Sequence, residues 1–129
     1  MSFWKNIFNK GDSDEGFSNE REGVTIFVIK LEHIEVGYLK SENNKWYFNY
    51  SDEFKTQDKY HRIVGFSNLD KTYESEELWP FFKVRIPGLK QPLIQEIIKK
   101  ESIDKTNEVD LLKRFGRNNI SNPYKLEAV

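Results

Sequence analysis

The stretch that decides the fold consists of three short segments rich in β-branched and aromatic residues: VTIFVIKL at 24–31, IEVGYLK at 34–40 and KWYFNY at 45–50. In the third segment, strand alternation places Trp46, Phe48 and Tyr50 on one face. The connection before it contains Asn43 and Asn44, which tolerate left-handed backbone conformations. Because the connections are short, neighbouring strands are expected to pair antiparallel, and the stretch predicts a three-stranded meander.

The part of the chain that follows is less regular. Residues 52–60 are polar and predict a helical turn or a loop, whereas the apolar residues 63–66 (IVGF) are expected to return to the sheet. Ser75 has the residue type of a helix N-cap, so a helix is expected to begin there. Pro80 falls inside that helix, which must therefore start beside the proline or bend at it. Residues 84–88 (VRIPG) then break the helix.

The C-terminal half continues with two more helical patterns and a strand. Residues 91–100 and 107–115 each carry apolar side chains at helical spacing, and Gly116 follows the second pattern at the C′ position. Residues 124–129 predict a closing strand. Strands, then helices, then one strand predict an α+β fold: a small antiparallel sheet, made of a meander plus a closing strand, packed with about three helices in the C-terminal half.

The N-terminal 23 residues differ in character from the rest. Four apolar side chains of residues 1–10 share one helical face: Phe3, Trp4, Ile7 and Phe8. Residues 11–23 are rich in glycine, serine and charge. We therefore expect residues 1–23 to form a flexible segment and linker, and residues 24–129 to form one domain. The apolar face also fits an anchor for a partner or membrane surface, or a tail folded onto its own domain, since so short a helix is marginal alone.

Composition excludes several classes of protein. The chain has 20 basic and 21 acidic residues, so no overall field attracts nucleic acid or an anionic membrane. It has no cysteine, which excludes disulfides, thiolate catalysis and cysteine-ligated zinc. No secretory signal is evident, and no apolar run approaches the roughly 20 residues of a membrane span. We expect a cytoplasmic protein.

The sequence offers no convincing catalytic group. Neither a Walker loop nor a GxGxxG loop is present, and the two histidines, His33 and His61, have no second ligand at helical spacing. His61-Arg62 is followed by Ile63, where a kinase catalytic loop would have aspartate. We therefore expect no enzyme activity, no metal, no cofactor and no small-molecule substrate.

Nucleic-acid binding is not favoured either. Lys99-Lys100, Lys113-Arg114 and Arg117 make the second half locally basic. Acidic residues interleave with them: Glu96, Glu101, Asp104, Glu108 and Asp110. The alternation is typical of a solvated helix surface rather than of a phosphate-binding track.

Several short motifs, taken in order, resemble the N-terminal subdomain of HipA-type kinases. They are IEVGYL at 34–39, LWPFF at 78–82, IPG at 86–88, DLL at 110–112 and GRN at 116–118. The resemblance extends over about residues 25–129. The chain departs from the family pattern where IPG lacks an acidic residue before glycine, where Asn118 replaces aspartate, and where residues 122–124 replace Gly-Ala-Leu.

The resemblance implies a function without catalysis. A free-standing chain of this type is similar to the S component (HipS-like antitoxin) of bacterial HipBST toxin–antitoxin systems, in which the kinase lies on a separate chain. It implies an antitoxin or accessory subunit that docks on a HipA/HipT-like serine/threonine kinase, with a helix-turn-helix HipB-like repressor as a further candidate partner. The alternative function is a nucleic-acid-associated module within the repressor complex. A membrane-surface adaptor that uses residues 1–10 ranks lowest.

Four residues are the candidate partner-binding residues: Trp79, Phe81, Phe82 and Arg85. Trp79 stands directly before Pro80 at an expected helix start, where a large side chain tends to project. It is either a core tryptophan or an anchor that enters a groove on the kinase, since tryptophan is enriched among interface hot spots.

Overall fold

The structure is a computed structural model that describes residues 23–118 and 122–129. The expectation for residues 1–22 therefore falls outside the described residues. The strands are β1 (Val24–Leu31), β2 (Ile34–Glu42), β3 (Lys45–Tyr50), β4 (Tyr73–Ser75) and β5 (Lys125–Ala128). The helices of the described residues are α1 (Asp52–Lys55), α2 (Pro80–Lys83), α3 (Pro92–Lys100) and α4 (Glu108–Phe115).

The strands form one antiparallel sheet in the order β4-β3-β2-β1-β5. Two-residue connections join the first three strands, and β2 extends two residues beyond the predicted residues 34–40, to Glu42. Asn43 and Asn44 have φ angles of 54° and 63°, and a pair of positive φ angles matches the twist of a tight hairpin. Glu32 has a φ angle of 56° in the first connection. The predicted α+β fold, with its meander and closing strand, is confirmed.

Two local predictions were wrong. Residues 63–66 do not join the sheet, because they form a turn in which the Phe66 amide donates to the Ile63 carbonyl at 2.9 Å. A turn brings the side chains of Ile63 and Phe66 inward together and leaves Val64 exposed, which a strand cannot do since its neighbours alternate. The sheet instead gains the three-residue strand β4.

The helix begins at Pro80, which is the predicted alternative of a start beside the proline, and the N-cap expected at Ser75 was wrong. Ser75 lies in β4, and its hydroxyl accepts from the Glu77 amide at 3.0 Å and donates to the Glu77 carbonyl at 2.7 Å. This local bond pair satisfies the serine without a helix. The starts of α3 and α4 lie within one residue of the predictions, and Asn107 caps α4 by accepting from the Asp110 amide at 3.1 Å.

The main core lies on one face of the sheet. Phe27, Leu39 and Phe48 face one another across β1, β2 and β3, and all three side chains are fully buried. Leu126 of β5 and Phe82 of α2 join the same cluster. The helical half is therefore fastened to the sheet by aromatic and aliphatic side chains, and α2 is held directly against it.

Candidate functional site

Helix α2 is a four-residue helix whose backbone is fixed at its start. Trp79 is extended, with φ −66° and ψ 150°, and its carbonyl accepts from the amides of Phe82 and Lys83 at 3.0 and 2.9 Å. Pro80 occupies the first helical turn, where its fixed φ suits the helix and its missing N–H costs nothing. The sequence Trp-Pro-Phe-Phe thus sets both the start of α2 and the directions of its rings.

Phe82 is the ring that anchors α2. It is fully buried, and its centroid lies 5.9 Å from that of Phe48 on β3 and 6.1 Å from that of Phe66. Aromatic pairs at these separations add to the free energy of burial. Of the four candidate partner-binding residues, Phe82 therefore lies inside the domain and supports the surface above it.

Trp79 and Phe81 flank this anchor and are half-buried. The Trp79 ring meets Phe66 edge to face at 5.1 Å. The Phe81 ring meets Phe82 at 5.0 Å and Tyr124 at 5.4 Å, both edge to face. Each residue is packed against these rings and remains partly exposed, so the structure brings Trp79 and Phe81 to the surface next to Phe82.

Arg85, directly after α2, is buried. Its guanidinium donates to the carbonyls of Gly116 and Tyr124, each at 2.9 Å, and to Asn122 Oδ1 at 3.1 Å. Desolvation lowers the pKa of Arg85 to about 10, so the group still carries its charge at neutral pH. Its cation also lies 5.9 Å from the centre of the Phe81 ring. Arg85 therefore ties the end of α2 to the segment after α4 and backs the ring of Phe81.

Two exposed apolar residues complete this surface, and sequence reasoning missed both. Pro80 is exposed and Val84 is 61% exposed. They stand four positions apart, so they lie on one side of the helical turn. We define the α2 surface as Trp79, Pro80, Phe81 and Val84. The spacing of Pro80 and Val84 beside two aromatic residues could have indicated this surface. It was missed because residues 84–88 were expected only to break the helix.

Outside the α2 surface, the described residues offer few groups suited to catalysis or to metal binding. His33 and His61 are exposed, and across residues 23–118 and 122–129 no three histidine, aspartate or glutamate side chains come together as metal ligands. A groove of about 1130 Å³ lies between the β2–β3 hairpin and the start of α4. Lys83 and Glu108, 3.8 Å apart, put both signs of charge on its wall. The groove therefore indicates no ligand class.

Two arginines of the second half, Arg114 and Arg117, are engaged in ion pairs. Arg114 Nε lies 2.7 Å from Glu101 Oε1, and the bond lowers the pKa of Glu101. Arg117 lies 3.1 Å from a Glu127 carboxylate oxygen, and Glu127 also pairs with Lys30. The mixed solvated face expected from the sequence is present at these positions.

Comparison with known protein families gives a match. The family model described as the HipA N-terminal domain matches residues 27–120, which is well over half of the chain. No curated protein matches the sequence. Within the described part of the chain, the helices are too short and too polar to cross a membrane.

Proposed function

The chain belongs to the HipA N-terminal domain family, and on this premise we propose that it is a non-catalytic binding module that docks on a separate HipA-like serine/threonine kinase chain. It would act there as the antitoxin or accessory subunit of a bacterial toxin–antitoxin system in the cytoplasm. The family suggests a toxin–antitoxin-related module, and its domain is a small N-terminal subdomain rather than the kinase domain itself. Family membership supports the toxin–antitoxin context, and the α2 surface supports docking on a partner chain.

The observation that carries the proposal is the α2 surface. Exposed Pro80 and Val84 lie beside the half-buried rings of Trp79 and Phe81. Binding hot spots are enriched in aromatic residues set in well-packed surroundings, and contiguous exposed apolar side chains mark interaction sites. The four candidate partner-binding residues divide accordingly: Trp79 and Phe81 would contact the kinase, and Phe82 and Arg85 would hold them in place.

The mechanism we propose is docking of a rigid surface. The ring of Phe82 and the guanidinium of Arg85 fix α2 before any partner arrives. A surface ordered in advance loses little conformational entropy on binding, so more of the contact energy appears as affinity. Regulation of the kinase would then follow from occlusion or conformational restraint at the docked face.

The alternative, a nucleic-acid-associated module in a repressor complex with a HipB-like protein, has less support. Phosphate binding needs free cationic side chains in a row. Arg114 and Arg117, the arginines of the basic helix end, already face Glu101 and Glu127. Partner docking therefore remains the function that the contacts favour.

Isothermal titration tests the proposal. The chain is titrated into a purified HipA-like kinase that lacks this domain, taken from the genome that carries the sequence, at low and high salt. We expect a Kd of about 1 μM or tighter that changes little with salt. Binding of duplex DNA by the chain alone, with a steep loss of affinity in salt, would favour the alternative. Absence of binding to the kinase at both salt concentrations would refute docking.

A further inference from the structure

The sheet buries both of its faces. Ile26, Phe27, Val28 and Ile29 are consecutive in β1, and all four are at most 8% exposed. Phe27 and Ile29 belong to the main core, whereas Ile26 and Val28 form a separate cluster with Tyr38 of β2. A continuous apolar run is typical of a strand with layers packed on both sides. The imperfect alternation of residues 24–31 in the sequence has this cause.

The second cluster continues across the neighbouring strands. We define the second face as the side chains of Ile26, Val28, Tyr38, Lys40 and Tyr47. Lys40 pairs with Ile26 on one side and with Tyr47 on the other, and Val28 pairs with Tyr38. Tyr38 is 1% exposed and Lys40 is 6% exposed. Burial is the largest cause that raises the pKa of the Tyr38 hydroxyl, and its bond to Glu35 adds to the shift.

A cover is needed to explain this burial. Among the residues that the structure describes, the partly buried apolar neighbours of the cluster are Val24 and Tyr47, which are themselves in the sheet. The helices α2 and α4 contribute to the main core on the opposite face, through Phe82 and Leu112. Side chains that stand on an open sheet are solvated from above, so exposures this low require a layer of atoms over them.

We propose that residues 1–22 of the same chain are the layer that covers the second face. The segment enters the fold at Gly23, directly before Val24, which is packed against the cluster. It carries the apolar side chains that such a layer needs: Phe3, Trp4, Ile7 and Phe8. The proposal differs from the flexible tether expected for residues 1–23 and adopts the other interpretation, a tail folded onto its own domain.

The geometry of the chain permits this arrangement. Strands lie about 4.8 Å apart, so β1, β2 and β3 together span roughly 10 Å between their axes. Residues 11–22, if extended, would reach up to about 40 Å. The eight residues 3–10, if helical, would have a length of about 12 Å. The apolar residues 3–8 can therefore reach all of the second face. This inference is independent of the kinase and stands or falls separately from the proposed function.

Thiol labelling of the full chain tests it, because the sequence has no cysteine of its own. Val28→Cys places a thiol on the second face, Ile29→Cys places one in the main core, and Val64→Cys provides an exposed reference. Each is combined with serine at the four apolar positions 3, 4, 7 and 8. The matched control places serine at the polar positions 5, 6, 9 and 10 of the same segment. Reaction rates with a soluble aromatic disulfide report the opening of each site.

We expect Val28→Cys to react slowly in the unmodified segment and at least about tenfold faster with the apolar-to-serine segment, while the control segment changes nothing. Ile29→Cys should stay protected throughout, which shows that the main core remains folded. Two outcomes overturn the proposal: a thiol at position 28 that reacts as fast as one at position 64 in the unmodified segment, or one that stays equally protected after the serine substitutions.

A second measurement decides the matter if the apolar-to-serine segment unfolds the domain. A photoreactive phenylalanine analogue replaces Trp4 in the otherwise unmodified chain, and the cross-linked peptides are identified by mass spectrometry. Intramolecular links to the peptides that contain Val28, Tyr38 or Tyr47 support the proposal. Links to a second copy alone, or no links to these peptides, refute it.

Discussion

The meander and the segment that follows it are held together differently. In β1, β2 and β3, backbone pairing runs continuously from strand to strand through two-residue connections. From residue 51 to residue 118, short elements depend instead on a few long-range side-chain contacts. The Tyr50 hydroxyl donates to the Phe66 carbonyl at 2.5 Å, Phe82 inserts into the core, and Arg85 reaches residues 31 to 39 positions further along the chain.

This difference suits the sheet to stabilising the fold and the helical half to contacting a partner. Backbone pairing makes the sheet a scaffold that needs no exposed apolar residue. The helical half, fixed by single side chains, leaves apolar residues at the surface, namely Val84 on the α2 surface and Leu93 on α3. Binding residues are commonly placed on short segments that a rigid scaffold positions.

The largest effect is expected at Phe82. Phe82→Ala removes a fully buried ring from the main core and should lower the free energy of unfolding by about 3–5 kcal/mol. Val84→Ala, on the same turn but 61% exposed, is the matched control and should change it by less than about 0.5 kcal/mol. Urea denaturation measures both. Equal effects of the two substitutions would show that α2 is not anchored by its buried ring.

The next effect concerns Arg85. Arg85→Met keeps much of the apolar stem but leaves the Gly116 and Tyr124 carbonyls without their donor, so we expect a loss of about 2–3 kcal/mol. Arg85→Lys keeps the charge and a hydrogen-bond donor, so it should recover part of this loss. Recovery should be incomplete, because one ammonium cannot reach both carbonyls in the geometry of a guanidinium. Urea denaturation at neutral pH again measures the loss. If the methionine variant is as stable as wild type, the segment after α4 is held by other contacts.

Gly37→Ala tests the scaffold itself. A Cβ at Gly37 would lie 2.5 Å from the Asn49 carbonyl oxygen and 3.0 Å from the Phe48 ring, and the backbone atom can move only if β3 moves. We expect a loss of about 1–3 kcal/mol from this overpacking. Gly23→Ala meets no atom within 4 Å and serves as the control, with no change beyond about 0.5 kcal/mol. A wild-type melting curve for Gly37→Ala would mean that the sheet is looser than described.

The smallest stability effect concerns Tyr50, whose hydroxyl accepts from the Ile63 amide at 2.9 Å and donates to the Phe66 carbonyl. Tyr50→Phe should cost about 1 kcal/mol at neutral pH. Burial raises the pKa of Tyr50 from about 10 to about 12, so the unfolded chain ionises first as the pH rises. Wild type therefore loses stability between pH 10 and pH 12, and its advantage over Tyr50→Phe should narrow. A constant difference across this range would contradict the assignment.

Local patterns were sufficient to predict much of the fold. The β-branched and aromatic runs gave β1 and β3, Asn43 and Asn44 gave the hairpin, and apolar spacing gave α3 and α4 within one residue of their starts. Strand β4 was missed because three residues are too few to show a period. Gly116 follows α4 as predicted, but it is the C-cap, with a φ of −87°, and not the C′ residue. The Leu112 carbonyl oxygen, which would lie 2.7 Å from an added Cβ, favours glycine there.

The candidate site could be predicted only in part. Proximity of Trp79, Phe81 and Phe82 follows from their adjacency in the sequence. Burial of Arg85 does not, because its acceptors lie on a segment far along the chain and its own neighbour, Val84, is exposed. Long-range side-chain contacts leave no periodic trace in the sequence, and the division between anchoring and exposed residues rests on them.

The central claim is that the α2 surface docks on the kinase, and one pair of substitutions tests it most directly. Val84→Asp and Val64→Asp each place a charge at an exposed valine, the first on the α2 surface and the second in the turn at residues 63–66, outside that surface. Titration into the kinase chain should show an affinity at least tenfold weaker for Val84→Asp, about 1.4 kcal/mol, with unchanged melting, and wild-type affinity for Val64→Asp. Equal affinities for the two variants would contradict the account.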